Sequence, residues 1–305
     1  MEPVVWRDGK IIGWDDARLH VFSHAVSRGS SIFEVLTAEQ SNLGTILFRP
    51  VEHIRRLFQS ASYINMKVPY NVEELVGAMK KTVKVSSLHK AIVKIMALWP
   101  SVEFELIPRN RDVSVLMAAI PFPPLRNEKG SRKRPGGVKA RIVSVRKIDP
   151  ATVPVKAKVA ANYVNAMLAK MEAIRRGADI PIMLDTKGNL AEGSTESLFI
   201  VRGGILFTPS EENILSGITR DSVIRLAKEI GLTVKEKRLK PELLKKADEV
   251  FFTASPDHII HARSVDGRRI GSGVPGPITK KLCEYFEKVV CGEILRYKKW
   301  LVSVR

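Results

Sequence analysis

One stretch of the sequence reads Val155-Lys156-Ala157-Lys158-Val159-Ala160-Ala161-Asn162-Tyr163. It places Lys158 at the end of an apolar stretch, with small residues after it and a helix predicted to begin at Asn162. Small residues let a flat ligand approach the backbone closely. A partly desolvated lysine there loses its proton readily and forms a Schiff base with a carbonyl compound. A lysine alone does not identify such a site, because most lysines are solvated surface charges.

Two segments downstream of Lys158 add groups that bind a charged ligand. The first is Asp185-Thr186-Lys187-Gly188-Asn189-Leu190-Ala191-Glu192-Gly193, which opens with a turn and ends on a carboxylate and a glycine. The second is Leu215-Ser216-Gly217-Ile218-Thr219-Arg220-Asp221, which leads into a predicted helix. Gly217 permits a tight turn, and the amides of Ile218 and Thr219 begin the helix. Backbone dipoles alone then make an anion site.

The order of predicted elements indicates an α+β fold with two domains, since no regular βαβ repeat occurs. Short strands and hairpins are predicted from Val4 to Leu36. Periodic apolar residues predict helices at 51–63, 72–84 (with Asn71 as N-cap), 162–176, from about 219, and 276–290. Apolar runs predict strands at 91–98, 112–120, 138–145, 180–184, 198–201 and 250–253. A cluster of prolines and glycines separates a small N-terminal α/β domain, 1–124, from a larger mixed β/α domain, 138–305, and makes 125–137 the interdomain linker.

Composition narrows the class of protein without deciding it. The chain has 305 residues and a formal net charge of +18, which attracts nucleic acid, acidic membranes or small anions. The dense basic stretch from Arg126 to Arg141 contains none of the aromatic residues that a single-strand binding surface needs. We interpret it as a solvated loop. A basic nucleic-acid-binding protein on an enzyme scaffold remains the alternative from a different class.

The sequence favours a cytoplasmic protein without a metal site. The two cysteines, Cys283 and Cys291, stand eight residues apart in a predicted helix, too far along its axis to pair. Free thiols suit a reducing cytosol, and two lone cysteines are not a metal-binding pattern. No stretch resembles a secretory signal or a membrane span. His258 and His261 form a His-x-x-His pair without further ligands, which does not indicate a metal.

Several motifs in one order resemble the class IV aminotransferases. The pattern begins with the Lys158 segment and continues with Glu192-Gly193 and Gly217-Ile218-Thr219-Arg220. Two further strings follow in the same order, namely Ala247-Asp248-Glu249-Val250-Phe251-Phe252 and Arg263-Ser264-Val265-Asp266-Gly267-Arg268. The same pattern continues upstream of Lys158, in Phe22-Ser23-His24-Ala25, Gly29, Phe33-Glu34 and His53-Ile54-Arg55-Arg56-Leu57. The spacing of Lys158 to Asn162-Tyr163 and the string from Arg263 to Gly267 look most like branched-chain aminotransferases. The resemblance runs from about Trp6 to the last residues.

This resemblance implies a two-domain fold-type IV enzyme with pyridoxal 5'-phosphate as cofactor. Lys158 matches the lysine that forms the Schiff base and carries the α-proton, while Lys156 is a neighbour with the wrong spacing. Tyr163 matches the tyrosine bonded to the phenolic oxygen. Glu192 matches the carboxylate that keeps the pyridine nitrogen protonated, as an electron sink requires. Cofactor phosphate contacts fall on Arg56, Gly217, Ile218, Thr219 and Ser255.

The presumed substrate pocket departs from the branched-chain pattern. Arg28 stands where branched-chain enzymes usually have a tyrosine. Ile92 and Lys94 replace a tyrosine and an arginine that those enzymes use around the substrate carboxylate. Leu125 lies near the position of a further tyrosine that is usual in those enzymes. Pro256 lacks the N–H that normally meets that carboxylate. Phe33 is expected to be an apolar wall, and Arg28 and Lys94 are the candidate cations. His24 and His53 are assigned no catalytic role, and Glu196 either holds a hairpin or contacts the cofactor.

The implied activity is ping-pong transfer of the amino group of a branched-chain L-amino acid to 2-oxoglutarate by a homodimer. Lys94 is similar to a lysine of aminodeoxychorismate lyase. That lyase activity, or transfer to D-amino acids, is therefore the alternative within the family. The sequence leaves open the true amino donor, its stereochemistry and any assembly beyond a dimer.

Overall fold

The computed structural model describes residues 3–121 and 136–305. Within these ranges the chain divides into two compact units. The first unit contains residues 3–121 together with Ala157–Ala161 and Lys288–Arg305, and the second contains residues 136–156 and Asn162–Glu287. Two segments beyond residue 138 therefore pack with the first unit. The domain boundaries drawn from the sequence stay a prediction, and the predicted linker lies outside the described residues except for Gly136 and Gly137.

The described elements alternate irregularly between strand and helix, as an α+β fold requires. The strands are β1 (Val4–Arg7), β2 (Lys10–Gly13), β3 (Ser31–Ser41), β4 (Gly44–Phe48), β5 (Ala91–Leu98), β6 (Ser114–Pro121), β7 (Val138–Ile142), β8 (Ile180–Ile182), β9 (Ser197–Arg202), β10 (Ile205–Pro209), β11 (Val234–Lys237), β12 (Glu249–Ala254), β13 (His258–Val265), β14 (Arg268–Arg269) and β15 (Leu301–Ser303). The helices are α1 (His24–Arg28), α2 (Pro50–Tyr63), α3 (Val72–Ser86), α4 (Tyr163–Arg175), α5 (Ile218–Glu229), α6 (Glu242–Lys245) and α7 (Pro277–Val290), and 3-10 helices cover Ala160–Asn162 and Leu295–Trp300. Within the described ranges, no helix combines the length and the apolar character that crossing a membrane needs.

The first unit is built on an antiparallel sheet in the order β15-β4-β3-β5-β6-β1-β2. Helices α2 and α3 contribute apolar residues to its core, among them Ile54 and Leu57 from α2 and Met79 and Val83 from α3. Burying such side chains stabilises the unit by about 1.5–3 kcal/mol each. The core of this unit therefore supports β3 and β5, which carry several of the predicted site residues.

The helices predicted at 51–63 and 72–84 are confirmed as α2 and α3, and local chemistry explains where they begin. Pro50 occupies the first turn of α2, where its missing N–H costs nothing. At α3, the Asn71 side chain accepts from the N–H of Glu74 (2.9 Å) and the Glu74 carboxylate accepts from the N–H of Asn71 (2.7 Å). This reciprocal capping satisfies two amides that the helix itself leaves unbonded.

The second unit contains a mixed sheet in the order β11-β10-β9-β12-β13-β7-β8, with β14 paired to β13. Within the sheet, the neighbouring strands β10-β9-β12-β13 pair antiparallel, whereas β11, β7 and β8 add parallel pairs. Phe199 on β9 and Phe251 on β12 stand opposite each other and stack with ring centres 4.9 Å apart. The β9–β12 pair thus positions the turn before β9 and the turn after β12.

Helix α4 buries a different face from the one that its largest side chains suggest. The sequence places Tyr163, Met167, Leu168, Met171 and Ile174 on one side, but the last four are 48–60% exposed. The buried residues of α4 include small ones, Ala166, Ala169 and Ala173, and the last two pack with Val143 and Met183. Alanine lets the helix lie close to its own sheet, so the wide apolar stripe of α4 faces away from the second unit's core.

Candidate active site

Lys158 is held beside β3 by its own backbone. Its N–H donates to the hydroxyl of Ser60 (2.9 Å), and its carbonyl oxygen accepts from the N–H of Phe33 (3.1 Å). Val159 forms a bridge to Ile32 on the same strand. These bonds fix where the Lys158 side chain leaves the backbone, and its ammonium nitrogen lies 4.8 Å from the centre of the Phe33 ring.

Lys94 lies against the same aromatic ring, with its ammonium nitrogen 5.3 Å from the ring centre of Phe33. The strand register explains this position. Lys94 on β5 stands opposite Val35 on β3, and residues 33 and 35 point to the same face of a strand. Burial lowers the pKa of Lys94, and the positive charge of Lys158 lowers it further. The first unit therefore brings together three predicted site residues, namely Phe33, Lys94 and Lys158.

Arg56 lies on α2 within a buried cluster of charged and polar groups. Its Nε and Nη2 donate to Oε1 and Oε2 of Glu34, each over 2.7 Å. Nδ1 of His53 lies 2.7 Å from the same Oε2. Burial by itself raises the pKa of Glu34, but Arg56 and His53 outweigh it and lower that pKa to about 2. Burial lowers the pKa of His53, although Glu34 opposes this effect. The ionised Glu34 carboxylate, which also contacts His53, thus fixes the plane of the Arg56 guanidinium group.

Glu192 is placed by a narrow turn that precedes β9. Its carbonyl oxygen accepts from the N–H of Met183 (3.0 Å), and Glu192 bridges to Ser197. The side chain is 9% exposed, and its Oε1 lies 2.6 Å from Nζ of Lys147. The turn itself is closed by Glu196, whose Oε2 accepts from the N–H of Thr195 (2.8 Å) and the hydroxyl of Ser194 (3.1 Å). Of the two roles considered for Glu196, holding the hairpin is the one supported by these contacts.

Gly217 leads into α5 next to the same turn. It is the N-cap residue, and no side-chain hydrogen bond caps this end of the helix. A Cβ on Gly217 would lie 2.8 Å from the hydroxyl oxygen of Ser197, closer than real Cβ contacts allow. Ile218 and Thr219 form the first turn and are almost fully buried. Ser197 therefore lies next to both Glu192 and Gly217, so the second unit brings these two predicted site residues together.

Tyr163 and Ser255 stand at the ends of elements in the second unit. Tyr163 is the half-buried first residue of α4, directly after a 3-10 turn. Ser255 and Pro256 lie in the turn between β12 and β13, where the N–H of Asp257 donates to the carbonyl oxygen of Ala254 (3.2 Å). Pro256 offers no N–H in this turn. The sequence predicts no backbone donor at this position, because proline has no N–H, and the structure places Pro256 in the turn itself.

Arg28 is exposed at the last residue of α1. Its guanidinium group donates to the carbonyl oxygens of Phe104 (3.2 Å) and Ser27 (3.5 Å). Of the two candidate cations, Lys94 is the one that the structure places against Phe33. Leu125, named as part of the pocket, lies outside the described residues.

The histidines outside this cluster have packing contacts. Nδ1 of His24 lies 2.7 Å from the hydroxyl of Ser30, and its ring meets the edge of Trp99. The ring of His261 fills the space beside Gly137, and burial lowers the His261 pKa. Within residues 3–121 and 136–305, no three His, Cys, Asp or Glu side chains are grouped as metal ligands.

Sequence reasoning missed two residues that contact the predicted site residues. Ser60 bonds the backbone of Lys158 across a separation of 98 residues, and Lys147 pairs with Glu192. Neither belongs to a motif that the sequence analysis singled out. The helical position of Ser60, four residues after Arg56 on α2, was the one available signal, since residues i and i+4 share a helix face.

Comparisons with known proteins agree on one family. The family model described as amino-transferase class IV matches residues 31–265. The branched-chain-amino-acid aminotransferase of Pseudomonas aeruginosa is 35% identical over 302 residues, which are 99% of this chain and 97% of that protein. The structure of a branched-chain aminotransferase from Thermoproteus uzoniensis with norvaline is 36% identical, with a TM-score of 0.94 and all of both chains covered. The PLP form of the Thermobaculum terrenum branched-chain aminotransferase is 30% identical, with a TM-score of 0.90, and covers 100% of this chain and 99% of that one.

Proposed function

This chain belongs to the amino-transferase class IV family, and we propose that it transfers the amino group of branched-chain L-amino acids to 2-oxoglutarate with pyridoxal 5'-phosphate as cofactor. The observation that carries the proposal is the placement of Lys158. Its backbone is bonded to Ser60 and Phe33, and its ammonium group lies on an aromatic ring. The likeness to branched-chain aminotransferases along nearly the whole chain supports the choice of substrate.

The residues present fit the phosphate group of this cofactor. Gly217 stands where any Cβ would collide with Ser197, and the first turn of α5 has no side-chain cap. A helix N-terminus of this kind binds phosphate through its amides and its dipole. The family resemblance assigns a further phosphate contact to Arg56 of the first unit, whose guanidinium plane Glu34 holds. We assign phosphate binding to Arg56, Gly217, Ile218, Thr219 and Ser255.

Each remaining site residue has a role that follows from its chemistry. When bound, pyridoxal phosphate supplies an aldehyde that amines attack and a ring that withdraws electrons from the reacting carbon. Lys158 would hold the cofactor through its aldehyde carbon, and its Nζ would carry the α-proton of the substrate. A carboxylate oxygen of Glu192 would keep a proton at the ring nitrogen, and the hydroxyl of Tyr163 would donate to the phenolic oxygen. Over the two half-reactions, the amino acid would become its 2-oxo acid and 2-oxoglutarate would become glutamate.

In this proposal, Lys94 is the positively charged side chain that binds the substrate carboxylate. Phe33 offers an apolar wall for a branched side chain, and Lys94 lies 5.3 Å from the centre of its ring. A carboxylate buried in such a pocket without a partner would be costly. Since Pro256 provides no N–H, we assign the carboxylate contact to Lys94, with Arg28 as the second candidate.

We also propose that the protein acts as a homodimer in the cytoplasm. The resemblance to the family implies dimers. The exposed apolar face of α4, formed by Val164, Met167, Leu168, Met171 and Ile174, is the surface offered for a second copy. A contiguous exposed apolar face of this kind marks a surface that binds another protein.

The test of the activity is a panel of amino acids added to the purified protein loaded with pyridoxal phosphate. We expect L-leucine, L-isoleucine and L-valine to bleach the visible absorbance of the bound cofactor and 2-oxoglutarate to restore it. Borohydride reduction followed by peptide mapping should place the cofactor on Lys158. A label on Lys156 would contradict the assignment.

One observation favours a second activity within the family. Lys94, the residue similar to that of aminodeoxychorismate lyase, has a lowered pKa through burial and lies near Lys158. The same panel therefore includes D-alanine and aminodeoxychorismate. Bleaching by D-alanine alone, or pyruvate release from aminodeoxychorismate, would identify that activity instead.

A further inference from the structure

Lys147 forms an ion pair with Glu192 in the second unit. Its Nζ lies 2.6 Å from Oε1 of Glu192, with the two side chains 15% and 9% exposed. We propose that Lys147 is a positioning residue, which holds Oε1 of Glu192 so that Oε2 is left to hold the proton at the cofactor's ring nitrogen. The proposal rests on the proposed function of Glu192.

The backbones of both partners are anchored at the same place. The N–H of Lys147 donates to the carbonyl oxygen of Leu184 (2.9 Å), and the N–H of Met183 donates to the carbonyl oxygen of Glu192 (3.0 Å). Adjacent residues of one segment, Met183 and Leu184, therefore fix Glu192 and Lys147 respectively. The pair follows from the fold, whereas an exposed pair between two mobile side chains contributes little.

Because both side chains of the pair are largely buried, loss of Lys147 should strongly affect Glu192. Loss of one partner of a buried ion pair leaves the other charge without compensation, which is strongly unfavourable. Within the described residues, the cation paired with this carboxylate is Lys147, and the contact is made to Oε1. Without Lys147, the Glu192 side chain is free to turn towards other donors. It then no longer presents one fixed oxygen to the ring.

The test compares Lys147→Met with Lys147→Arg, and uses Lys170→Met as the matched control. Lys170 is also a partly buried lysine of the second unit, but it donates to the carbonyl oxygen of Asp179, away from the site residues. Each protein is loaded with pyridoxal phosphate labelled with ¹⁵N in the ring. The ¹⁵N chemical shift then reports the protonation of the ring nitrogen independently of turnover.

We expect the ring-nitrogen signal of Lys147→Met to move towards that of neutral pyridine. The rate of the half-reaction with L-leucine should fall roughly tenfold, as is usual when a residue that orients a functional group is lost, while the concentration dependence on L-leucine stays the same. Lys147→Arg should restore both readouts, and Lys170→Met should change neither. If Lys147→Met does not fold, Lys147→Gln keeps a hydrogen-bond donor without the charge and is measured instead.

Two failures are distinguishable. A wild-type protein that binds no pyridoxal phosphate would overturn the proposed function itself. A wild-type protein that binds the cofactor and transfers amino groups, with an unchanged ring-nitrogen signal in Lys147→Met, would overturn only the role of Lys147.

Discussion

Glu34 accepts two hydrogen bonds of 2.7 Å from the guanidinium group of Arg56, and the Glu34 side chain is fully buried. The two residues are 22 positions apart, one on β3 and the other on α2. Paired bonds of this kind fix both the position and the plane of an arginine. Glu34 thus orients Arg56, and if Arg56 binds the cofactor phosphate as proposed, we expect Glu34 to affect both the stability of the first unit and the affinity for the cofactor.

The substitution Glu34→Gln should destabilise the protein by about 3 kcal/mol, because it leaves the buried Arg56 without a counter-charge. It should also weaken the binding of pyridoxal phosphate. Urea unfolding and cofactor titration measure the two effects. Glu105→Gln is the control, since Glu105 forms an exposed pair with Arg109 and such pairs contribute at most about 1 kcal/mol. Equal stabilities of the two variants would contradict this account of Glu34.

Acid should destabilise the protein through the same carboxylate. The pKa of Glu34 is lowered from 4.5 to about 2, so its contribution is fully present above pH 4.5 and is lost as the pH falls towards 2. A shift of this size corresponds to about 3 kcal/mol. Unfolding free energies measured between pH 6 and pH 2.5 should fall more steeply for the wild type than for Glu34→Gln. Parallel curves would assign the acid sensitivity to other groups.

Replacing Glu192 with glutamine should reduce turnover more than cofactor retention. The proposed phosphate contacts of Arg56 and Thr219 should still hold the cofactor, whereas the ring nitrogen should lose its proposed charged partner. We expect half-reaction rates to fall roughly 100-fold or more, equivalent to about 2.7 kcal/mol of barrier. Glu196→Gln is the matched control, because Glu196 closes the adjacent turn. Near-normal rates in Glu192→Gln would show that another acid holds the ring proton.

Lys94→Met should raise the apparent binding constant for 2-oxoglutarate or for the amino acid roughly tenfold. This change corresponds to the loss of about 1.4 kcal/mol from one charge contact. The affinity for the cofactor should stay unchanged. Arg28→Ala should have a smaller effect, since Arg28 is exposed and bonded to backbone carbonyls. Stopped-flow measurement of both half-reactions separates these parameters. Wild-type concentration dependence in both variants would show that the substrate carboxylate is bound elsewhere.

The apolar face of α4 yields a prediction about assembly. Leu168→Lys places a charge in the middle of this face and should shift the protein towards monomers in sedimentation experiments. Lys170→Met, on the same helix, should leave the oligomeric state unchanged. A Leu168→Lys variant that sediments like the wild type would exclude this face as the dimer contact.

Much of the fold was predictable because its signals are local. The limits of α2 and α3 follow from apolar periodicity and from the Asn71 cap, and Gly217 marks the start of α5. The burial of α4 was not predictable, because an apolar stripe that packs on a sheet has the same pattern as one that remains exposed. The side chains of Ala169 and Ala173 decide that question only once the sheet is formed.

The site was predictable as a set of residues but not as a set of contacts. Lys158, Glu192 and Gly217 belong to recognisable segments. The pair of Lys147 with Glu192 depends on two backbone hydrogen bonds to Met183 and Leu184, and the contact of Lys94 with Phe33 depends on the register of β3 against β5. The register is set by how the strands pair across the sheet, and a single sequence does not show that pairing.

The pairing of β15 with β4 has a consequence for synthesis of the chain. β4 reaches the ribosome exit early, whereas Leu301–Ser303, which cover its outer edge, follow only after every strand of the second unit. Domains generally form from the N-terminal side while translation continues. Until residues 301–303 emerge, β4 presents an open row of amides and carbonyls, the kind of edge that promotes aggregation. The β4 edge therefore stays open to self-association during the synthesis of the whole second unit.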